Sequence, residues 1–264
     1  NALVLGFAVN VMALLVGWHY VKQGYGILMV DAAKKRQYFR ESEKRIFRVN
    51  GYVVWFLAWL VGNRAFSQQE MLNLNYYTFE TPMIVLVLVG AIAVATGTMT
   101  VISLLRCWRS NGGALPYNGV FAYVASLYFW FLFMRWGIDP VWLMIVPTLH
   151  SLQYLLIVWR YQIGYEKDRA GANESLLSFM SAKFAGKAYQ LNLAIFVLLG
   201  VILGAMGFWA IPILLQNVVP YDTETFGPSM FMFIIFIFIN VHHFFMDNVM
   251  WRRDNPDVRK YLFN

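Results

Sequence analysis

Long apolar segments separated by short charged loops are the dominant pattern of this chain. Seven such segments cover residues 2–30, 48–64, 82–105, 118–137, 140–160, 190–216 and 229–251. A helix of about 20 apolar residues crosses about 30 Å of hydrocarbon. The pattern therefore predicts an all-α fold, a polytopic transmembrane helical bundle of about seven spans that forms one integral membrane domain over residues 1–264.

The basic residues predict the direction of each span. Of the 21 Lys and Arg residues, 18 follow the first, third, fifth and seventh segments. The positive-inside rule places these loops and the C-terminus in the cytoplasm. The outer loop 65–81 is expected to form an interfacial helix or a lid. The stretches 38–47 and 161–189 mix charged with apolar residues, so they are expected to lie along the membrane surface.

Composition agrees with a membrane protein and narrows the function. The chain is 59% hydrophobic and 13% charged, whereas soluble domains carry about 25% charged residues. The net charge of +7 comes from residues in short loops, so it does not indicate nucleic-acid binding. Cys107 is the only cysteine, which excludes an internal disulfide and a cysteine-based zinc site.

All four histidines lie in three of the segments, at about the same depth. They are His19 in the first, His150 in the fifth, and His242 with His243 in the last. The charge bias predicts that these three helices run in the same direction. At a rise of about 1.5 Å per residue, each histidine lies about 14–16 Å from the cytoplasmic end of its segment. Ionisable groups at such depth indicate a functional site.

His19, His150 and His243 each share a helix face with polar residues three or four positions away. His242 has Met246 at that spacing, so His243, which has Asp247, is favoured over it. Two of these polar residues, Tyr154 and Lys22, are candidate proton donors and hence candidate catalytic residues. Residues predicted to orient or bind a cofactor are Gln23, Gln153 and Asn240. The predicted metal ligands are His19, His150, His242, His243 and Asp247.

Several interpretations of this pattern remain open. Two histidines and a carboxylate suit a non-haem iron oxygenase, whereas zinc accepts three histidines and a water. Two facing imidazoles suit haem, and a single one suits chlorophyll. The histidines could equally form hydrogen bonds between helices, and Lys22 could extend to the interface. A retinal protein is excluded by the absence of a lysine in the last segment.

Three short motifs carry a resemblance to known sequences. The strings His19-Tyr20-Val21-Lys22-Gln23, His150-Ser151-Leu152-Gln153-Tyr154 and His242-His243 with Asp247 resemble motifs of uncharacterised bacterial multi-pass membrane proteins, which implies the bacterial inner membrane. The chain is also similar to the membrane carotenoid-cleaving dioxygenases, which hold iron with intramembrane histidines. Its histidine spacing differs from theirs, so their site is not transferred. Membrane desaturases and hydroxylases carry about twice as many histidines.

These observations predict an integral membrane metalloprotein with an intramembrane His/Asp site. Iron is the expected metal, and oxidation of an apolar, lipid-like substrate within the bilayer is the expected chemistry. The first alternative is a non-catalytic subunit that joins other membrane subunits and binds haem or chlorophyll. The second is a proton-coupled transporter that uses His19, Lys22, His243 and Asp247 as a relay.

Overall fold

A computed structural model describes most of the 264-residue chain. The described residues are 2–65, 70–71, 74–75, 77–136, 155, 157–168, 188–250 and 255–262. They divide into two compact units, residues 1–147 and residues 148–264. Almost all of these residues are helical, as the apolar pattern predicts; whether the whole chain acts as one domain stays a prediction.

The first unit contains four long helices and a small hairpin. Its elements are α1 (Ala2–Lys34), α2 (Glu41–Ala65), β1 (Glu70–Met71), β2 (Leu74–Asn75), α3 (Met83–Ser110) and α4 (Tyr117–Trp136). The two strands are antiparallel, with Glu70 opposite Asn75. The expected interfacial helix over 65–81 is therefore wrong at these strands, since asparagine favours turns and the following Tyr-Tyr-Thr-Phe favours extended backbone.

Helix α2 packs against α1, α3 and α4. It begins at Glu41, seven residues before the predicted span, because the Glu43 side chain accepts a hydrogen bond of 2.8 Å from the Arg40 N–H. A glutamate that binds the N-cap amide in this way is half of a capping box. The predicted surface segment 38–47 is therefore mostly the start of α2, with Phe39 and Phe47 in the buried core.

Helices α1 and α4 approach closely at two glycines. A Cβ atom on Gly119 would lie 2.7 Å from the Leu28 Cα, and one on Gly24 would lie 2.6 Å from the Ser126 Cβ. The Asp31 carboxylate also accepts a hydrogen bond of 2.9 Å from the Gly119 N–H in the first turn of α4. An anion at a helix N-terminus is stabilised by the helix dipole, so Asp31 fixes the end of α1 against the start of α4.

Buried asparagines connect the helices of this unit in two networks. In the core, the Asn50 amide donates to the Tyr123 hydroxyl at 3.0 Å, and the Thr96 hydroxyl donates to Asn50 at 3.1 Å. Nearer the start of α1, the Asn10 amide donates to the Asn63 side chain at 2.6 Å. This second contact joins the start of α1 to the end of α2, so the two helices run in opposite directions, as the loop charges predict.

The second unit is a chain of helices with one irregular turn. Its elements are α5 (157–168), α6 (Ala188–Ala205), a π-helical turn (Met206–Ala210), α7 (Ile211–Val218), α8 (Thr223–Phe226), α9 (Met230–Met250) and α10 (Pro256–Leu262). In the π-helical turn, the Ile211 N–H bonds to the Met206 carbonyl. Pro212 follows and has no N–H to donate, which accounts for the irregularity at this point of the helix.

Within the described residues, four helical segments are long and apolar enough to cross a membrane, which indicates a membrane protein. They are Leu3–Lys34, Met83–Ser110, Gln190–Val218 and Met230–Asp247. The predicted spans 48–64 and 118–137 correspond to the helices α2 and α4, which are not among these four. Most of the predicted span 140–160 lies outside the described residues. Seven spans in one bundle therefore remain a proposal.

Candidate functional site

His19 lies on the face of α1 that points away from α2 and α4. Leu28, which packs against α4, is nine residues further along and therefore about 180° round the helix at 100° per residue. His19 is nevertheless buried, with 8% of its surface exposed. The imidazole is thus buried on the face of α1 opposite the one that packs against α4.

Gln23 lies one turn after His19 on this same face. Its amide nitrogen and oxygen are both buried, and neither has a hydrogen-bond partner among the described residues. A buried amide that lacks a partner costs about 1–3 kcal/mol in proteins. Gln23 therefore presents a donor and an acceptor beside His19, which is the arrangement expected of an orienting residue.

Lys22 is engaged by an aromatic ring on its own helix. Its ammonium lies 4.2 Å from the centre of the Trp18 ring, a distance at which the cation is attracted to the ring face. Lys22 and Trp18 are four residues apart, so this contact forms within α1. It holds the positive charge near the His19 face, and the role of Lys22 as a proton donor stays a prediction.

His243 and Asp247 lie close together on α9. The His243 Nε2 lies 3.4 Å from the Asp247 Oδ2, and the Asp247 side chain is only 10% exposed. Their spacing of four residues places both side chains on one face of α9, as the sequence predicts. The distance exceeds that of a good hydrogen bond, which is about 2.7–3.2 Å, so the two groups are in contact without a tight bond.

The other polar residues of α9 are placed differently. His242 is exposed, and its ring stacks on that of Phe238 at a centroid distance of 5.7 Å. The Asn240 amide donates a hydrogen bond of 2.8 Å to the Phe236 carbonyl of its own helix. His243 is therefore better placed than His242 to share a ligand with Asp247, which agrees with the sequence analysis.

The predicted residues of the fifth segment lie outside the described residues. They are His150, Gln153 and Tyr154. His19 belongs to the first unit, whereas His243 and Asp247 belong to the second. The convergence of His19, His150 and His243 on one metal or cofactor therefore stays a prediction.

Sequence analysis missed several deeply buried polar residues. Asn10 and Asn63 have no exposed surface, Asn50 is 2% exposed, and Glu166 is 4% exposed. Glu166 accepts hydrogen bonds from Gln162 at 3.0 Å and from Asn192 at 2.7 Å. Asparagines within apolar segments were the available signal. Their amides are bonded within the first unit, so they stabilise its packing.

Comparisons with protein-family models, with curated proteins and with solved structures give no match. The function must therefore be argued from the chemistry of these side chains alone.

Proposed function

We propose that this protein is an integral membrane metalloprotein whose site is formed by histidines and Asp247 within the apolar layer. Iron is the proposed metal, and the proposed activity is oxidation of a lipid-like substrate. Fe(II) held by histidines and one carboxylate, with coordination positions left open, would supply oxygen-dependent chemistry. His19, His150 and His243 are the proposed imidazole ligands, with Asp247 as the carboxylate.

The observation that supports this proposal is the separation of His243 and Asp247. Two ligand atoms that each lie about 2.1 Å from one metal are about 3.0 Å apart at a right angle and about 3.4 Å apart at the tetrahedral angle. The observed separation of Nε2 and Oδ2 is 3.4 Å. The pair therefore has the spacing of two neighbouring ligands without any rearrangement of α9.

The environment of the pair gives a second reason. A carboxylate in an apolar helix is expensive unless a cation or a metal neutralises it. Asp247 closes the apolar segment Met230–Asp247 and is largely buried. A metal ion would neutralise this charge and would also bind neutral His243, since imidazole coordinates metals in its neutral form.

The depth of His19 supports its assignment to the same layer. Helix α1 extends four residues beyond the predicted end of its apolar segment, to Lys34. These four residues include Asp31 and Lys34, so the apolar part still ends near residue 30. His19 therefore keeps its predicted depth of about 16 Å and, as a buried imidazole, is suited to be a ligand.

Metal analysis and a visible spectrum of the purified wild-type protein test the proposal together. We expect about one iron per chain and no Soret or near-infrared band. A Soret band would identify haem, and red and near-infrared bands would identify a chlorophyll-type pigment. Stoichiometric zinc would show that the bound metal is zinc and not iron. The absence of both metal and pigment would contradict the proposal and favour a structural or transport role for the histidines.

A further inference from the structure

We propose that the first unit binds the phosphate headgroup of an anionic phospholipid on a basic surface formed by residues 34–48 and 106–109. This surface carries nine Lys and Arg residues against three acidic residues, if residue 31 is included. The proposal is independent of the metal site, because it uses none of the proposed ligands.

Two segments of the chain form this surface side by side. Phe39 and Phe47 from the first segment and Cys107 from the second belong to one buried core cluster. The basic side chains around them are exposed. The exposed arginines are Arg36, Arg40, Arg45, Arg48, Arg106 and Arg109.

The acidic residues of the surface are already engaged within the first unit. Asp31 pairs with Lys35 at 3.0 Å, and Glu41 pairs with Lys44 at 2.7 Å. The Glu43 side chain accepts the Arg40 N–H, as described above. None of these contacts uses an arginine side chain. Arg48 lies over the Tyr25 ring at 5.8 Å. Among the described residues the other guanidinium groups form no ion pair with these acidic side chains, so they can bind an external anion, and their planar fork matches phosphate oxygens.

The backbone conformation of Arg36 indicates that its charge has a function. Its φ is 55°, a left-handed conformation that favours glycine. It ends α1 in a Schellman motif, in which the Gln37 N–H bonds to the Ala32 carbonyl at 2.8 Å and the Arg36 N–H bonds to the Ala33 carbonyl at 3.1 Å. Glycine is the usual residue at this position. An arginine here is unfavourable for the backbone, which we attribute to a use of its charge.

Exposed aromatic side chains accompany the arginines in both segments. Tyr38, which is 70% exposed, lies between Arg36 and Arg40 in sequence, and Trp108, which is 43% exposed, lies between Arg106 and Arg109. Tyrosine and tryptophan concentrate at the headgroup level of a bilayer. The combination of phosphate-binding and interfacial side chains fits a phospholipid better than a soluble anion.

The experiment titrates the full-length protein in neutral detergent with phosphatidylglycerol and, separately, with phosphatidylcholine of the same chains, and follows lipid adducts by native mass spectrometry. Wild-type protein should prefer phosphatidylglycerol. Each basic residue near an anionic surface contributes about 1 kcal/mol, so Arg36→Gly should weaken phosphatidylglycerol binding about fivefold. Its melting temperature without lipid should stay the same or rise, because glycine adopts this backbone without strain.

Arg64→Gln is the matched control, because it removes an exposed arginine from the opposite end of α2, and its lipid binding should equal that of wild type. The double variant Arg40→Gln with Arg109→Gln tests the surface without altering Arg36, and we expect a loss of about 25-fold. Unchanged affinity in both surface variants would overturn the proposal. Equal competition by inorganic phosphate at the lipid concentration would overturn the assignment to a lipid.

Discussion

Gly119→Ala would test the contact between α1 and α4 on which the first unit depends. The added methyl group would lie 2.7 Å from the Leu28 Cα, 3.2 Å from the Leu28 carbonyl oxygen and 3.0 Å from the Asp31 Cβ. Two of these atoms belong to the backbone of α1, so no side-chain rotation relieves the clash. The helices must separate, and this lengthens the hydrogen bond between the Gly119 N–H and Asp31.

The expected magnitude follows from three effects. Overpacking of a buried contact lowers the free energy of unfolding by about 1–3 kcal/mol, and loss of a hydrogen bond to a charged group lowers it by about 1.5 kcal/mol or more. Alanine has a higher helix propensity than glycine, and this raises the free energy of unfolding by at most about 1 kcal/mol. We expect a net decrease of about 2–3 kcal/mol in the free energy of unfolding.

The native cysteine provides the assay. Cys107 is the only cysteine and is 4% exposed, so a thiol-reactive dye reports unfolding of this unit during a titration with SDS in mixed micelles. Gly26→Ala is the matched control, because a Cβ there meets none of the atoms of the described residues within 4 Å; it should be neutral or slightly stabilising. If Gly119→Ala unfolds at the same SDS concentration as Gly26→Ala, the close approach of α1 and α4 is refuted.

Three further predictions concern the site, the topology and the contact between α5 and α10 in the second unit. Asp247→Asn should weaken metal binding about 10–100-fold if the carboxylate orients a ligand and more if it binds directly; unaltered metal content with unaltered melting temperature would remove Asp247 from the site. Single cysteines at Glu70 and Asp222, in a background without the native cysteine, should react with an impermeant reagent from outside; labelling from the cytoplasm alone would contradict the orientation. The Asp168 carboxylate pairs with the Lys260 ammonium, which lowers the pKa of Asp168 and raises that of Lys260. This ion pair stabilises the packing of α10 at pH values between the unfolded pKa values of the two groups. Both side chains are about half exposed, so the pair contributes only modestly. Limited proteolysis should therefore release α10 somewhat faster below about pH 4 and above about pH 10, and a release rate that does not change with pH would exclude a role for the pair.

The sequence predicts the helices well but predicts the contacts between them poorly. Hydropathy locates α1, α3 and α9 to within a few residues, because a membrane span must be long and apolar. Hydropathy misses the start of α2, because the helix begins in a charged segment, where the Glu43 carboxylate accepts a hydrogen bond from the Arg40 N–H. The number of spans is harder to predict, because aromatic and polar residues lower the mean hydropathy of some segments.

The spacing of small residues also fails to predict which helices pack closely. The spacing of Gly200 and Gly204 predicts close helix packing, yet a Cβ on either would meet none of the described residues within 4 Å. The close contact is made instead by Gly24 and Gly119, which have no small-residue repeat to mark them. Packing depends on which helix faces meet, and one sequence does not specify this.

For the candidate site, helical periodicity predicts the contact between His243 and Asp247, because residues four apart share a face. It also favours His243 over His242, which stacks on Phe238 instead. Periodicity within one helix carries no information on how separate helices are arranged. The meeting of His19, His150 and His243 therefore requires a direct measurement.

That measurement is the iron content of three single variants, His19→Ala, His150→Ala and His243→Ala, each purified alongside the wild-type protein and His242→Ala. Ligands of one ion should each be needed for its retention. We expect the three variants to lose most of the iron while keeping the melting temperature of the metal-free wild type, and His242→Ala to retain it. Wild-type iron content in any of the three would remove that histidine from the site, and wild-type content in all three would contradict the central proposal.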